Sequence, residues 1–139
     1  MPCIRISKPR RGSCRRWLRM AILPALPDFW TKYREEMVGR AGACIFLCGN
    51  KSDPGTGVTV VANGVLDEFE IARKGGRVVI PIGASGHAAR AIWQTMMADL
   101  DTFFPQGGVK AHFQTLGNPR KSTSQILDAV FGILKHALC

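Results

Sequence analysis

Two short apolar runs constrain the fold of this chain more than any other feature of its sequence. Residues 43–48 (ACIFLC) and residues 77–82 (RVVIPI) have the length of β-strands and little polar alternation. A strand that is apolar on both faces is typical of a parallel sheet covered by helices on both sides. We therefore expect both runs to be central, almost fully buried strands that pair in parallel.

The segments between and around these runs have helical periodicity or turn composition. The resulting order alternates helices with strands, which predicts an α/β, Rossmann-like, three-layer domain with a parallel sheet. The predicted helices are residues 28–41, 65–74, 87–103 and 122–138; the predicted extended segments are 43–48, 58–62, 77–82 and 111–116.

Both well-defined strands are followed by glycine-rich loops, and these loops are the main candidate for a ligand site. Residues 49–57 (GNKSDPGTG) follow the first strand, and residues 83–86 (GASG) follow the second. In a parallel sheet such loops meet at the carboxyl edge, where ligands bind. Glycine lets a backbone approach phosphate oxygens, and a helix N-terminus favours anions. The candidate binding residues in these loops are Gly49, Asn50, Lys51, Gly83, Ser85 and Gly86.

The net charge of +9 is concentrated at the start of the chain. Residues 1–20 hold seven basic and no acidic residues, whereas the remaining 119 residues hold twelve basic and ten acidic ones. A block of like charge is typical of a solvated tail. We therefore predict a disordered basic leader over 1–25, a ligand-binding domain over 28–139, and no nucleic-acid partner, because the leader has neither zinc-ligand spacing nor an aromatic stacking platform.

Cysteines and histidines provide no recognisable metal or catalytic constellation. The five cysteines include no C-x-x-C pair, and the three histidines have no partner spacing. Neither a zinc site nor a disulfide framework is expected, and no cofactor is predicted. No apolar run approaches the ~20 residues of a membrane span. These features predict a cytoplasmic protein without a membrane segment, and they leave its oligomeric state open, a homo-oligomer included.

Residues 33–138 resemble the SLOG domains associated with sirtuin and TIR domains, the STALD family. The resemblance is carried by the closing amphipathic helix and by two longer segments, YREEMVGRAGACIFLCGNK and ANGVLDEFEIARKGGRVVIPIGASGHAARAIW. Such domains are similar to the C-terminal sensor domain of the Thoeris antiphage effector. The resemblance implies a non-catalytic sensor of a cyclic ADP-ribose signal derived from NAD, with a sirtuin or TIR effector as partner.

Carried over motif by motif, the resemblance also implies roles for three side chains. Arg34 and Lys51 would bind phosphates, and Glu68 would accept hydrogen bonds from ribose hydroxyls. Family members begin with a strand and a small-residue turn that form one wall of the pocket. The basic leader stands in that place here, so the resemblance predicts a domain that is incomplete at its N-terminus.

Two alternative functions remain open on the sequence. Nucleoside deoxyribosyltransferases, which have a related fold, use a glutamate four residues before a small residue; Glu68 and Ala72 have this spacing. An enzyme that cleaves N-glycosidic bonds is therefore the first alternative, and an inactive fragment is the second. A phosphoribohydrolase related to lysine decarboxylases is disfavoured, because residues 81–89 (PIGASGHAA) contain no glutamate.

Overall fold

The computed structural model describes residues 26–138, and their side chains from residue 28 onward. The predicted leader over residues 1–25 lies outside the described residues. By contacts the chain divides into two units, residues 1–33 and 34–139, so the boundary falls within the first described helix. In the first unit, the ring of Trp30 makes edge-to-face contacts with the rings of Phe29 and Tyr33.

The described chain forms a mixed α/β domain, as the sequence predicts. The helices are α1 (Leu26–Gly39), α2 (Asn63–Lys74), α3 (His87–Ala98), α4 (Leu100–Phe103), α5 (Lys110–Leu116) and α6 (Thr123–Leu138). The strands are β1 (Ala43–Phe46), β2 (Asn50–Ser52), β3 (Thr59–Val61) and β4 (Val78–Pro81), and a 3-10 turn covers Gly83–Ser85.

Strands β1 and β4 pair in parallel, which confirms the predicted direction of the sheet. Ala43 lies opposite Val78 and Phe46 lies opposite Pro81. Strand β4 packs against α2, α3 and α6. It is almost completely buried, as expected for a strand covered on both faces.

The prediction of nearly complete burial is wrong for β1. Ile45 is 53% exposed and the adjoining Leu47 is 61% exposed, whereas Phe46 is buried. Among residues 26–138, β4 is the one strand that pairs with β1. One face of β1 therefore stays uncovered within this part of the chain, although the composition of the run is that of a buried strand.

The glycine-rich segment after β1 is a β-hairpin rather than an open loop. Strand β2 pairs in antiparallel register with β3, so that Lys51 lies opposite Val60. The connecting turn is closed by the carboxylate of Asp53, whose Oδ1 accepts hydrogen bonds from the backbone N–H groups of Gly55 and Thr56, both at 2.9 Å. A side chain that satisfies local N–H groups in this way favours a tight turn.

The predicted strand over residues 111–116 is wrong, because this segment is the helix α5. Val109, Phe113 and Leu116 are all buried, and their spacing of four and three residues puts them on one side of a helix. The predicted helix over 87–103 is also interrupted, since Asp99 has φ −145° and ψ 56° between α3 and α4.

The core of the second unit lies between β4 and the surrounding helices. Rings of Phe46 and Phe69 meet edge to face, and so do those of Phe104 and Phe113. The side chains with no more than 2% exposure include Val79, Ile80, Ile92, Met96, Val109, Phe113, Leu116 and Ile133. This core anchors the carboxyl ends of β1 and β4, where the candidate site is expected.

Candidate ligand-binding site

The loops that follow β1 and β4 are joined by the side chain of Ser85. Its Oγ accepts a hydrogen bond from the backbone N–H of Cys48 at 2.8 Å and donates one to the carbonyl of Ile82 at 2.6 Å. The carbonyl of Cys48 in turn accepts a hydrogen bond from the backbone N–H of Ala89 at 3.0 Å. The two loops and the first turn of α3 therefore form one hydrogen-bonded unit.

Both loops contain a residue other than glycine in the left-handed region. Cys48 has φ 54° beside Gly49 at 80°, and His87 has φ 53° beside Gly86 at 82°. This conformation costs roughly 1–2 kcal/mol for a residue with a side chain. Such backbone persists where the surrounding contacts over-determine it, and it concentrates at functional sites.

The backbone of Gly49, just after β1, lies very close to side chains of α2 and α3. A Cβ at this position would be 2.6 Å from Cβ of Ala88 and 3.1 Å from Cγ1 of Val65. Its carbonyl accepts a hydrogen bond from the backbone N–H of Ala62 at 2.9 Å, at the start of α2. The starts of α2 and α3 therefore converge on the end of β1, which is the carboxyl edge predicted from the sequence.

The structure brings together two of the three predicted ligand side chains. Nε of Arg34 lies 3.4 Å from Oε1 of Glu68, and Nη1 of Arg34 lies 3.8 Å from Oδ2 of Asp67. The side chains of Arg34 and Glu68 are 23% and 28% exposed, so this pair is partly desolvated. Asp67 was not anticipated from the sequence, although its position next to Glu68 is a signal that could have identified it.

Glu68 also has an electrostatic effect on the neighbouring strand β1. Burial raises the pKa of the Cys44 thiol; the charge of Arg77 opposes this, and the charge of Glu68 reinforces it. The carboxylate of Glu68 therefore acts on the sheet as well as on Arg34.

The third predicted side chain, Lys51, is not joined to this pair. Lys51 and its neighbour Asn50 are exposed on β2, two residues or fewer from Gly49. Within residues 28–138, Lys51 forms no ion pair. Lys51 is therefore close to Gly49 in sequence, and its side chain is exposed on the hairpin.

Gly83 has a packing role that the sequence did not reveal. It is buried, and a Cβ there would be 2.6 Å from Cγ of Trp93. The indole Nε1 of Trp93 donates a hydrogen bond to the carbonyl of Phe113 at 2.7 Å, and the guanidinium of Arg90 lies 4.6 Å from its ring centroid. Gly83 is therefore required beneath an anchored tryptophan, whether or not a ligand binds there.

Two concave surfaces are lined by other residues of the domain. One has a volume of about 380 Å³ and is lined by residues that include Asp99, Asp101 and Lys110; the other, of about 200 Å³, is lined by residues that include Gly76 and Phe103. Neither includes Arg34, Lys51 or Glu68. The candidate site is therefore defined by the charged side chains and the loops that follow β1 and β4, and not by either concave surface.

Two further features can be assessed for the described residues. No group of His, Cys, Asp or Glu residues within 26–138 is arranged to hold a metal ion. In the same range, no helix has the length and apolar character needed to cross a bilayer.

A parallel α/β core, linked strand-end loops and a partly buried Arg–Glu pair define a Rossmann-like domain with a candidate site at its carboxyl edge. Comparison with known families identifies the particular family within this class. Residues 22–137 match the model of the Sir2- and TIR-associating SLOG family, STALD, and the chain belongs to this family.

Curated relatives match the chain over most of its length. The protein named NAD(+) hydrolase ThsA from Bacillus cereus (strain MSX-D12) is 35% identical over 103 residues, which is 73% of this chain and 21% of the relative. The proteins of the same name from Cytobacillus dafuensis and Acinetobacter baumannii (strain 532279) are each 31% identical, over 78% of this chain and 22% and 24% of their own lengths. The chain thus spans between a fifth and a quarter of the length of these relatives.

Proposed function

We propose that this domain is a non-catalytic sensor that binds a cyclic ADP-ribose-type signal derived from NAD, in TIR- and sirtuin-linked antiphage defence of the Thoeris kind. The observation that carries the proposal is the meeting of Arg34 and Glu68, from α1 and α2, beside the loop that follows β1. Family membership and the names of the relatives, which are NAD(+) hydrolases, support an NAD-derived ligand.

The proposed ligand carries two phosphates and ribose hydroxyls, and the site offers groups of matching chemistry. Arg34 binds a phosphate as a planar, multidentate donor, and Lys51 binds the second as a mobile point charge. The carboxylate of Glu68 accepts hydrogen bonds from ribose hydroxyls. We further propose that the ligand contacts the backbone of the loop residues Gly49, Asn50, Gly83, Ser85 and Gly86. The hydroxyl of Ser85 and the N–H groups of Ser85 and Gly86 already form hydrogen bonds within the protein.

Ligand binding requires Arg34 to change some of its contacts. Its guanidinium pairs with both Glu68 and Asp67. A phosphate that approaches Arg34 competes with these carboxylates, and a ribose hydroxyl can then use the Glu68 oxygen that Arg34 releases. The Arg34–Glu68 pair therefore restricts the positions of both side chains within the domain.

The direct test is calorimetric titration of the full chain with cyclic ADP-ribose isomers. A charge-assisted hydrogen bond contributes about 1.5–3 kcal/mol, so Lys51→Ala should weaken binding roughly ten- to a hundredfold. The matched control is Lys121→Ala, which removes an exposed lysine between α5 and α6. Absence of binding by the folded wild-type chain, or equal losses in both variants, would contradict the proposal.

The alternative is an enzyme that cleaves N-glycosidic bonds with Glu68 as nucleophile. The partly buried position of this carboxylate at the site is compatible with it. Glu68→Gln separates the two functions, because it preserves shape and removes nucleophilicity. A sensor retains much of its affinity, whereas an enzyme loses nearly all turnover of nucleosides or NAD. A folded chain that neither binds these ligands nor turns them over would instead support the hypothesis of an inactive fragment.

We further propose that the domain acts in the cytoplasm and regulates a sirtuin or TIR effector, as one chain or as a homo-oligomer. The test is to add the chain and a cyclic ADP-ribose isomer to a purified sirtuin-type NAD hydrolase and to follow NAD consumption. Ligand-dependent change in the rate is expected. A rate that is the same with and without the chain would contradict this partnership.

A further inference from the structure

Gly64 in the first turn of α2 lies directly against the guanidinium of Arg34. A Cβ at this position would overlap Nη2 of Arg34, and it would be 3.2 Å from Cζ and 3.6 Å from Nε. Gly64 does not have the left-handed φ of Gly49 and Gly86. Its backbone conformation therefore does not require glycine, and the contact with Arg34 is the physical constraint at this position.

The same contact explains a glycine inside a helix. Glycine is less favourable than alanine in helices, because it loses more backbone freedom on folding. In exchange, the missing side chain at Gly64 leaves space for the guanidinium of Arg34, whose side chain is 23% exposed and whose Nε lies 3.4 Å from Oε1 of Glu68. An added methyl group would meet the far end of a flexible side chain, so the guanidinium can move while the helix stays in place.

We propose that Gly64 is a positioning residue, which fixes the Arg34 guanidinium beside Glu68 and so prepares it for the phosphate of the ligand. The part of this inference that concerns the ligand rests on the proposed function. The part that concerns Arg34 does not, because it is a contact within the domain itself. The two parts are therefore tested separately.

The first test follows the Nε–H resonance of Arg34 by NMR in the ligand-free chain, assigned by its loss in Arg34→Ala. We expect Gly64→Ala and Glu68→Gln to shift this resonance and to speed its exchange with water. Gly39→Ala is the control, because Gly39 is also helical and a Cβ there meets nothing within 4 Å. An Arg34 resonance that is unchanged in Gly64→Ala would overturn the proposal.

Thermal unfolding of the same variants distinguishes a specific effect on the position of Arg34 from a general loss of stability. Alanine favours the helix, so Gly64→Ala should melt no lower than the wild type once Arg34 has moved. If Gly64→Ala does melt lower, the loss should disappear in the Arg34→Ala background, since the clash is with Arg34. A loss that persists in that background would overturn the proposal.

The second test is titration with cyclic ADP-ribose isomers. Gly64→Ala should weaken binding about tenfold, and it should have no further effect on a chain that already carries Arg34→Ala. Additive losses would show that Gly64 acts by another route and would overturn the proposal. If the wild type binds none of the isomers, the proposed function fails, and the Arg34 resonance alone decides the positioning role.

Discussion

The backbone N–H of Cys48 donates a hydrogen bond to Oγ of Ser85 at 2.8 Å, across 37 residues of sequence. This bond joins the loops that follow the two parallel strands. The same hydroxyl donates a second hydrogen bond to the carbonyl of Ile82. A serine in a glycine-rich loop would ordinarily be considered first as a ligand group. Here its hydroxyl accepts a hydrogen bond from Cys48 and donates one to Ile82. Its main role in the domain is therefore to hold the two loops together.

We expect Ser85→Ala to lower the free energy of unfolding by about 1–3 kcal/mol, because the N–H of Cys48 loses its partner in a partly buried place. Chemical denaturation measures this change. The control is Ser124→Ala on α6, where the side chain is exposed and alanine is the better helix former. Equal stability of Ser85→Ala and the wild type would show that the bond between the loops contributes little.

Gly49→Ala should destabilise the domain far more than Gly57→Ala. Both glycines have positive φ, at 80° and 70°, but a Cβ at Gly57 meets nothing within 4 Å, whereas one at Gly49 would overlap Ala88. The left-handed conformation alone costs about 1–2 kcal/mol, and overpacking adds about 1–3 kcal/mol. Denaturant unfolding of both variants isolates the packing contribution, and similar losses would contradict the close approach.

A pair of phenylalanines tests the assignment of α5 as a helix packed on α6. Phe113 has no exposed surface, so Phe113→Ala should cost about 3–5 kcal/mol. Phe131 on α6 is 57% exposed, and Phe131→Ala should cost far less. If residues 110–116 formed an exposed strand instead, the two substitutions would have comparable effects on the unfolding free energy.

Protonation of Asp53 should weaken the turn between β2 and β3, and it should do so at a lower pH than for an aspartate with an ordinary pKa. Hydrogen bonds from the backbone and hydroxyl of Thr56, and then from the backbone of Gly55, hold the pKa of Asp53 below its usual value of 3.8. Stabilisation by a carboxylate of this kind is complete above the unfolded pKa and is lost as the pH falls through the lower folded value.

The amide proton shifts of Gly55 and Thr56 measure this titration. We expect a midpoint below 3.8 in the folded chain. In Asp53→Asn the side chain keeps an acceptor oxygen and has no proton to gain, so this titration should disappear. A midpoint at or above the usual aspartate value would mean that the turn does not hold the carboxylate as described.

The candidate site could be predicted only in part. The family resemblance predicts the roles of Arg34 and Glu68, and the structure places Nε of Arg34 3.4 Å from Oε1 of Glu68. The close approach of Gly64 to Arg34 could not be predicted, because it depends on where a side chain from α1 lies against α2. Asp67 stands next to Glu68 in the sequence, but only the structure shows that it pairs with Arg34. The pair Asn63–Gly64 has the composition of a turn, yet both residues belong to the helix.

Local patterns in the sequence determined the order of most elements and the parallel direction of β1 and β4. Continuous apolar runs, helical periodicity and glycine-rich junctions are properties of short segments, and short segments can be assessed without knowing their neighbours. Tertiary structure decided the rest. It made a helix of residues 110–116, left Ile45 exposed while Ile80 is buried opposite it, and assigned Gly49, Gly83 and Gly64 to three different close contacts. Each of these outcomes depends on a surface contributed by a distant part of the chain, and a local pattern cannot specify that surface.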